Sequence, residues 1–87
     1  MKEEVNLNSE IFIENMEKLH TTTLGIQRLQ NNLLIKEKDV VRWCKNKIKQ
    51  SNAKFIRQGK NYYIRVDDYE ITVNANTFTI ITGHIKK

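Results

Sequence analysis

The sequence has no proline, one cysteine and three glycines among 87 residues, and nowhere a long unbroken apolar run. Each lack excludes something. Without proline, elements must end on glycine, asparagine, aspartate, serine or threonine. The single thiol, Cys44, has no partner for an internal disulfide, and no other cysteine or clustered histidine stands at zinc-ligand spacing, so no structural metal is expected. The opening stretch MKEEVNLNSEIFIENM interrupts its apolar residues with glutamates and reads as neither a signal peptide nor a membrane span. A cytoplasmic chain without cofactor is the expectation. There is also no glycine-rich phosphate loop, no GxSxG and no pair of carboxylates placed for hydrolysis.

What is present is a globular composition, 39% apolar and 29% charged, at a length that supports one small domain with one core. The net charge of +5 is unevenly placed. Residues 1–35 hold three Lys or Arg against five Glu, and residues 66–87 hold two against three acidic residues. Residues 36–65 hold ten against Glu37 and Asp39, a net of +8. A block of that sign favours a polyanionic partner, with a solvated lysine-rich helix as the plain alternative.

Ser9 is an N-cap candidate ahead of EIFIENMEKL, where Ile11, Phe12, Met16 and Leu19 recur at helical spacing. HTTT interrupts that helix, and Thr22 or Thr23 can cap a second with the stripe Ile26, Leu29 and Leu33. A third helix is predicted from Glu37 to Gln50, with Val41, Cys44 and Ile48 inward, Val40 flanking them and lysines outward. After Ser51-Asn52 the period falls to 2, giving strands AKFIR, NYYIRV, YEITVN and TFTIITGHI between short polar breaks. The predicted fold is α+β: three N-terminal helices packed on a four-stranded antiparallel meander, as a helical layer over 1–51 and a sheet over 52–87.

Alternation places Tyr62, Ile64, Val66, Tyr69, Ile71, Val73, Phe78 and Ile80 under the helices. The other face then carries Tyr63, Arg65, Glu70, Thr72, Asn74 and Thr79, with Arg57 alongside, and nothing in the chain is expected to cover it. RNA cleavage by 2′-hydroxyl attack needs a base, an acid and cations around the phosphate, which Arg57, Lys60, Tyr63, Arg65, Thr72, Thr79 and His84 could supply together. An exposed tyrosine beside arginines also stacks unpaired bases. Solvated sheets collect Thr, Arg and Tyr simply as good strand formers.

His84 has the parity of Phe78 and Ile80, so strict alternation, the preferred reading, turns it toward the helices as a hydrogen-bonded histidine. A bulge at Gly83 would instead bring it to the open face. His20 and the threonines precede a helix start that could hold an anion, although capping alone explains them and is preferred. Cys44, on an apolar stripe, is expected to be a buried inert thiol, and Trp43 to seal the helix-sheet edge or mark a contact surface.

The segments LHTTTLGIQRLQNNL, DVVRWCKNKI, QGKNYYI and ITVNANTFTIITGHIKK, in this order and over nearly the whole chain, resemble the small bacterial and phage proteins grouped as domain of unknown function 3781. That family commonly reads Thr-Ala-His in its last segment, where this chain has Gly83. The resemblance implies a compact accessory protein of the mobile-element type and assigns no catalytic residue. A looser likeness, in element order, basic patch and terminal histidine only, is to the barnase-like and RelE-like ribonuclease toxins.

The functional expectation is a monomer or small dimer that works on RNA or a nucleoprotein complex through Lys45, Lys49, Arg57, Lys60, Tyr63 and Arg65. In its toxin-like form it is a metal-independent endoribonuclease: Arg57 and Lys60 hold the phosphate, Tyr63 stacks a base and His84 moves a proton. The alternative is a phage-encoded, anti-CRISPR-like inhibitor of host defence that binds a nucleoprotein or protein partner without turnover. An antitoxin or a host effector is the protein partner these readings imply.

Overall fold

In the computed structural model, which describes residues 7–86, one phenylalanine organises the packing between helices and sheet. Phe12 is fully buried, and its ring lies 5.5, 5.1 and 5.2 Å from the centroids of Phe55, Tyr62 and Phe78. It belongs to α1 (Leu7–Glu14), followed by α2 (Thr23–Leu33) and α3 (Val40–Ile48). Four strands come next: β1 (Lys54–Gln58), β2 (Asn61–Val66), β3 (Tyr69–Asn74) and β4 (Ile80–Ile85). They form one antiparallel sheet in chain order. On one of its faces α1 packs against β1, α3 against β2 and α2 against β4. The α+β class and the meander are as predicted.

Several boundaries differ from the sequence expectation, each for a local reason. The first helix already includes Ser9, which is therefore no cap, and it stops at Glu14 before a separate 3-10 turn, Met16–Lys18. Thr22 does cap α2, its hydroxyl accepting from the Gly25 N–H at 3.0 Å. The third helix starts later than Glu37 because Asp39 caps it, its carboxylate accepting from the Arg42 N–H at 3.0 Å. Its buried stripe is Val40, Cys44 and Ile48, while Val41 is only partly covered.

The hairpin turns explain the registers of β1 to β3. Gly59, at φ 61°, opens the two-residue Gly59-Lys60 turn, and Asp67, at φ 55°, opens the Asp67-Asp68 turn. Positive φ is what two-residue hairpins require of their first central residue. The β3–β4 connection is ordered by Asn74, whose side-chain oxygen accepts from the N–H groups of Asn76 and Thr77 at 2.8 and 3.0 Å. Beside β4, the N–H of His20 donates to Phe78 O at 3.2 Å and its carbonyl accepts from Ile80 N at 2.7 Å, a short parallel bridge to Thr79. TFTIITGHI is thus shorter as a strand than predicted, beginning at Ile80.

The departure with most consequence lies inside β4. Val73 pairs with Ile80, but Thr72 pairs with Thr82, so Ile81 is an extra residue and the parity of everything after it is inverted. Gly83 consequently faces the helices, where an added Cβ would lie 3.1 Å from a Leu29 methyl carbon and 3.4 Å from one of Leu33. His84 faces the other way and pairs across the sheet with Glu70. The bulge is at Ile81 rather than at Gly83, and the preferred placement of His84 under the helices is corrected.

Gly83→Leu should drive its side chain against Leu29 and Leu33 and cost roughly 1–3 kcal/mol through overpacking. Urea denaturation should show a lower midpoint for Gly83→Leu, whereas Ile81→Val should stay within about 0.5 kcal/mol of the native chain. A Gly83→Leu variant with the native midpoint would contradict the register. Phe12→Ala should be more damaging, at about 3–5 kcal/mol, through the cavity it leaves among three rings.

Candidate functional site

The face of the sheet turned away from the helices is built as cross-strand rows. Lys54, Arg65, Glu70 and His84 lie opposite one another on β1, β2, β3 and β4, and Ile56, Tyr63, Thr72 and Thr82 form the adjacent row. The first row is tied together through its one carboxylate. Arg65 Nε donates to Glu70 Oε2 at 3.0 Å, His84 Nε2 lies 3.2 Å from Oε1, and Lys86 Nζ lies 3.9 Å from the same oxygen. Among the described residues, His84 Nδ1 has no hydrogen-bond partner.

This face is less open than alternation alone suggests, since Glu70 and Thr72 are only 7% and 6% exposed. Their strand neighbours cover them, and the cations explain why a carboxylate is tolerated there. Burial by itself would push the Glu70 carboxyl up, but the Arg65 hydrogen bond and the charges of Lys86, Arg65 and His84 outweigh it and hold it below the usual glutamate value.

The structure does not bring the expected catalytic trio together. Arg57 has the parity of Phe55 and lies on the helix side, where it pairs with Tyr62, its guanidinium 5.5 Å from that ring and its Nε donating to Gly59 O at 3.1 Å. Its placement alongside Tyr63 and Arg65 is corrected. Lys60 sits in the β1–β2 turn, and strands β2 and β3 separate both residues from His84 on β4. Of the expected nucleic-acid-binding residues, Tyr63 and Arg65 share the uncovered face, whereas Lys45 lies in α3 and Lys49 caps its C-terminus, in the helix layer behind the sheet. Glu70 and Lys86 were not singled out by the sequence reading. The signal for Glu70 exists, because Arg65 and Glu70 are symmetric about the Asp67-Asp68 turn and a two-residue hairpin must pair them.

A second cluster ties α3 to the β2–β3 turn. Lys47 Nζ is 2.8 Å from Asp67 Oδ2 and lies 5.6 and 5.2 Å from the ring centroids of Trp43 and Tyr69, which meet edge to face at 5.1 Å. Asn52 donates to the other Asp67 oxygen at 2.9 Å. Hydrogen bonds from Lys47 and Asn52 hold the Asp67 carboxyl below its usual range. Trp43 thus closes the helix-sheet edge beside a shallow recess of ≈ 370 Å³ lined by Lys47, Asp67, Asp68, Tyr69 and Ile85. Lys47 is already engaged there, which makes this a structural clasp.

The remaining candidates resolve toward structure. Thr21 donates to Ile80 O at 3.0 Å, Thr22 caps α2, and the His20 ring lies 2.7 Å from Lys18 O and 3.1 Å from the Thr79 hydroxyl. That stretch holds the chain to β4, in keeping with the capping reading. Cys44 is fully buried and burial pushes its thiol up to about 12, so it is no nucleophile at neutral pH. Among the described residues no group of three or more His, Cys, Asp and Glu is placed to hold a metal, and no helix is long and apolar enough to cross a membrane.

The Glu70 cluster makes stability depend on pH in a defined direction. A carboxyl whose folded value lies below its unfolded one stabilises the fold fully above the unfolded value, near 4.5, and that contribution is lost as pH falls through the folded value. Glu70→Gln should flatten the stability profile across that acid range and lower stability at pH 7. Unfolding curves from pH 7 to 3 that retain the native slope in Glu70→Gln would show that another group dominates.

Neither a curated protein nor a solved structure matches the chain, so the likeness to ribonuclease toxins gains no support from a shared fold. Residues 13–84, by contrast, match the family described as a protein of unknown function, DUF3781, and over that span the chain belongs to this family.

Proposed function

We propose that the protein is a small cytoplasmic RNA-directed protein of the mobile-element type, and that it meets single-stranded RNA with the uncovered face of its sheet. The observation that carries this reading is the convergence of Arg65, His84 and Lys86 on Glu70 beside the half-exposed Tyr63. Cations spaced along a strand-pair surface suit a phosphate chain, and a tyrosine between them suits a stacked base. Phosphate contact and stacking together need no sequence-specific pocket.

The same row supports metal-independent cleavage as its chemistry. Glu70 holds His84 through Nε2, which leaves Nδ1 directed away from that bond to accept the 2′-hydroxyl proton. The 2′-oxygen then attacks phosphorus while the bond to the 5′-oxygen breaks, giving a 2′,3′-cyclic phosphate. Lys86 protonates the leaving oxygen, and Arg65 offsets charge on the equatorial oxygens. Arg57 and Lys60, which the sequence reading gave to the phosphate, have no part in this version.

A non-enzymatic reading draws on a different observation. Arg65 and Lys86 are compensated by Glu70, and Lys45, Lys49, Arg57 and Lys60 are spread over other surfaces, a dispersion that suits a broad contact with a nucleoprotein or acidic protein partner. An anti-CRISPR-like inhibitor of host defence needs no more than that.

RNA affinity should fall with salt along a shallow line. About three cations on one face give a slope of log K against log salt of roughly −2, well short of what the whole +8 block would give. Titration of a labelled single strand measures this, and Tyr63→Ala should weaken binding by about 1–3 kcal/mol. Undetectable binding at low salt would remove RNA as the partner.

Cleavage should persist in chelator, stop when the 2′-hydroxyl before the scissile phosphate is replaced by hydrogen, and be lost in His84→Ala with RNA affinity and thermal stability nearly unchanged. Intact RNA after long incubation with folded protein would favour the inhibitor.

A further inference from the structure

We propose that β1 is the seam of a homodimer, in which two copies of this chain join their sheets antiparallel about a two-fold axis at Ile56. Among the described residues, β1 has β2 on one side and no strand on the other. The two-residue turn Gly59-Lys60 makes Gln58 and Asn61 the closing hydrogen-bonded pair. Backbone groups alternate along an antiparallel strand, so Gln58, Ile56 and Lys54 direct their N–H and C=O toward β2, while Phe55 and Arg57 direct theirs outward. The outward set is symmetric about Ile56. A second copy rotated about that residue sets each Phe55 opposite the other's Arg57, and the two pairs exchange about four backbone hydrogen bonds.

The side chains around the seam fit the same occupant. β1 carries no proline and no bulge, two of the devices that blunt a sheet edge; its charges are Lys54 and Arg57. Ile56 is 39% exposed on the uncovered face, and α1, the helix packed on β1, leaves Ile11 and Ile13 at 45% and 50%. Exposed isoleucines therefore lie both on the edge strand and on the helix that packs against it. A bound acidic peptide would complete the backbone ladder but would leave α1 uncovered, whereas a second copy brings its own α1 alongside. Like charges do not collide in this register. Lys54 falls opposite Gln58 of the second copy, and Arg57 is already drawn back over Tyr62 and Gly59. At the sheet's other edge His20 occupies the start of β4, so pairing through β1 closes as a dimer instead of growing into a filament.

Sedimentation of the native chain should give twice the 10.3 kDa chain mass. Arg57→Pro should return it to the monomer with its fold intact by circular dichroism, because the N–H it removes points outward and an edge strand accepts proline. The register is tested by cysteine. Residues at 56 would face each other as a non-hydrogen-bonded pair about 4.5 Å apart at Cα, within the span of a disulfide, so Ile56→Cys should oxidise to a covalent dimer and Gln58→Cys should not. The buried Cys44 does not compete. A native chain that sediments as a monomer at several hundred micromolar, a dimer that survives Arg57→Pro, or Gln58→Cys crosslinking as readily as Ile56→Cys would each overturn the proposal.

Discussion

Everything on the far side of β4 depends on one extra residue. Ile81 lets Ile80 lie in the core with Val73 while Gly83, three positions on, lies in it again under Leu29 and Leu33. Without the slip, Gly83 would face outward opposite Glu70, Thr82 would take its place opposite Ile71 under α2, and His84 would turn to the helix side. That exchange would set polar side chains under the helices and remove a partner from a carboxylate that is itself nearly buried. The bulge therefore satisfies two demands at once: a residue without a side chain where the helix is closest, and a cation-capable one where Glu70 needs it.

Glu70 in turn shows how a sheet face without a helix over it becomes a defined surface. Its burial comes from its strand neighbours, and burial alone would favour the neutral acid; the three cationic groups around it reverse that balance. Each of those partners is well exposed, so no single pair contributes much to stability. Their joint effect is to hold Arg65, His84 and Lys86 at fixed positions across three strands, which is pre-organisation rather than strength.

How much of this could be read in the residues follows from how local each cause is. The faces of β2 and β3 came through because both strands alternate cleanly between turns whose residues are typical of hairpins, and Thr22 as a cap because its partner is three residues away. Helix three begins later than its composition suggests because Lys36, Glu37 and Lys38 are themselves good helix formers, and only the Asp39 cap marks the start. Arg57 was misplaced because Phe55 and Ile56 are both apolar and either could face the core; contact with Phe12, distant in sequence, selects Phe55. His84 was misplaced because the bulge carries no local mark. Ile80, Ile81 and Thr82 are all good strand formers, and the nearby glycine that suggested a bulge is there for Leu29 instead.

The basic block makes the same point about charge. Ten cations adjacent in sequence are distributed by the fold over α3 behind the sheet, the β1 edge and the uncovered face. The molecule spans 38 × 28 × 21 Å, while at physiological salt exposed charges cease to act together beyond about 8 Å. A ligand on one surface therefore meets only the cations of that surface, reduced by whatever compensates them there: Asp67 for Lys47, Glu70 for Arg65 and Lys86. Linear charge density pointed to a polyanion, but what a polyanion would encounter is set by strand order and by two carboxylates, one in a turn and one in the middle of the sheet. Glu70 thereby decides both how positive the uncovered face is and which way its histidine is held.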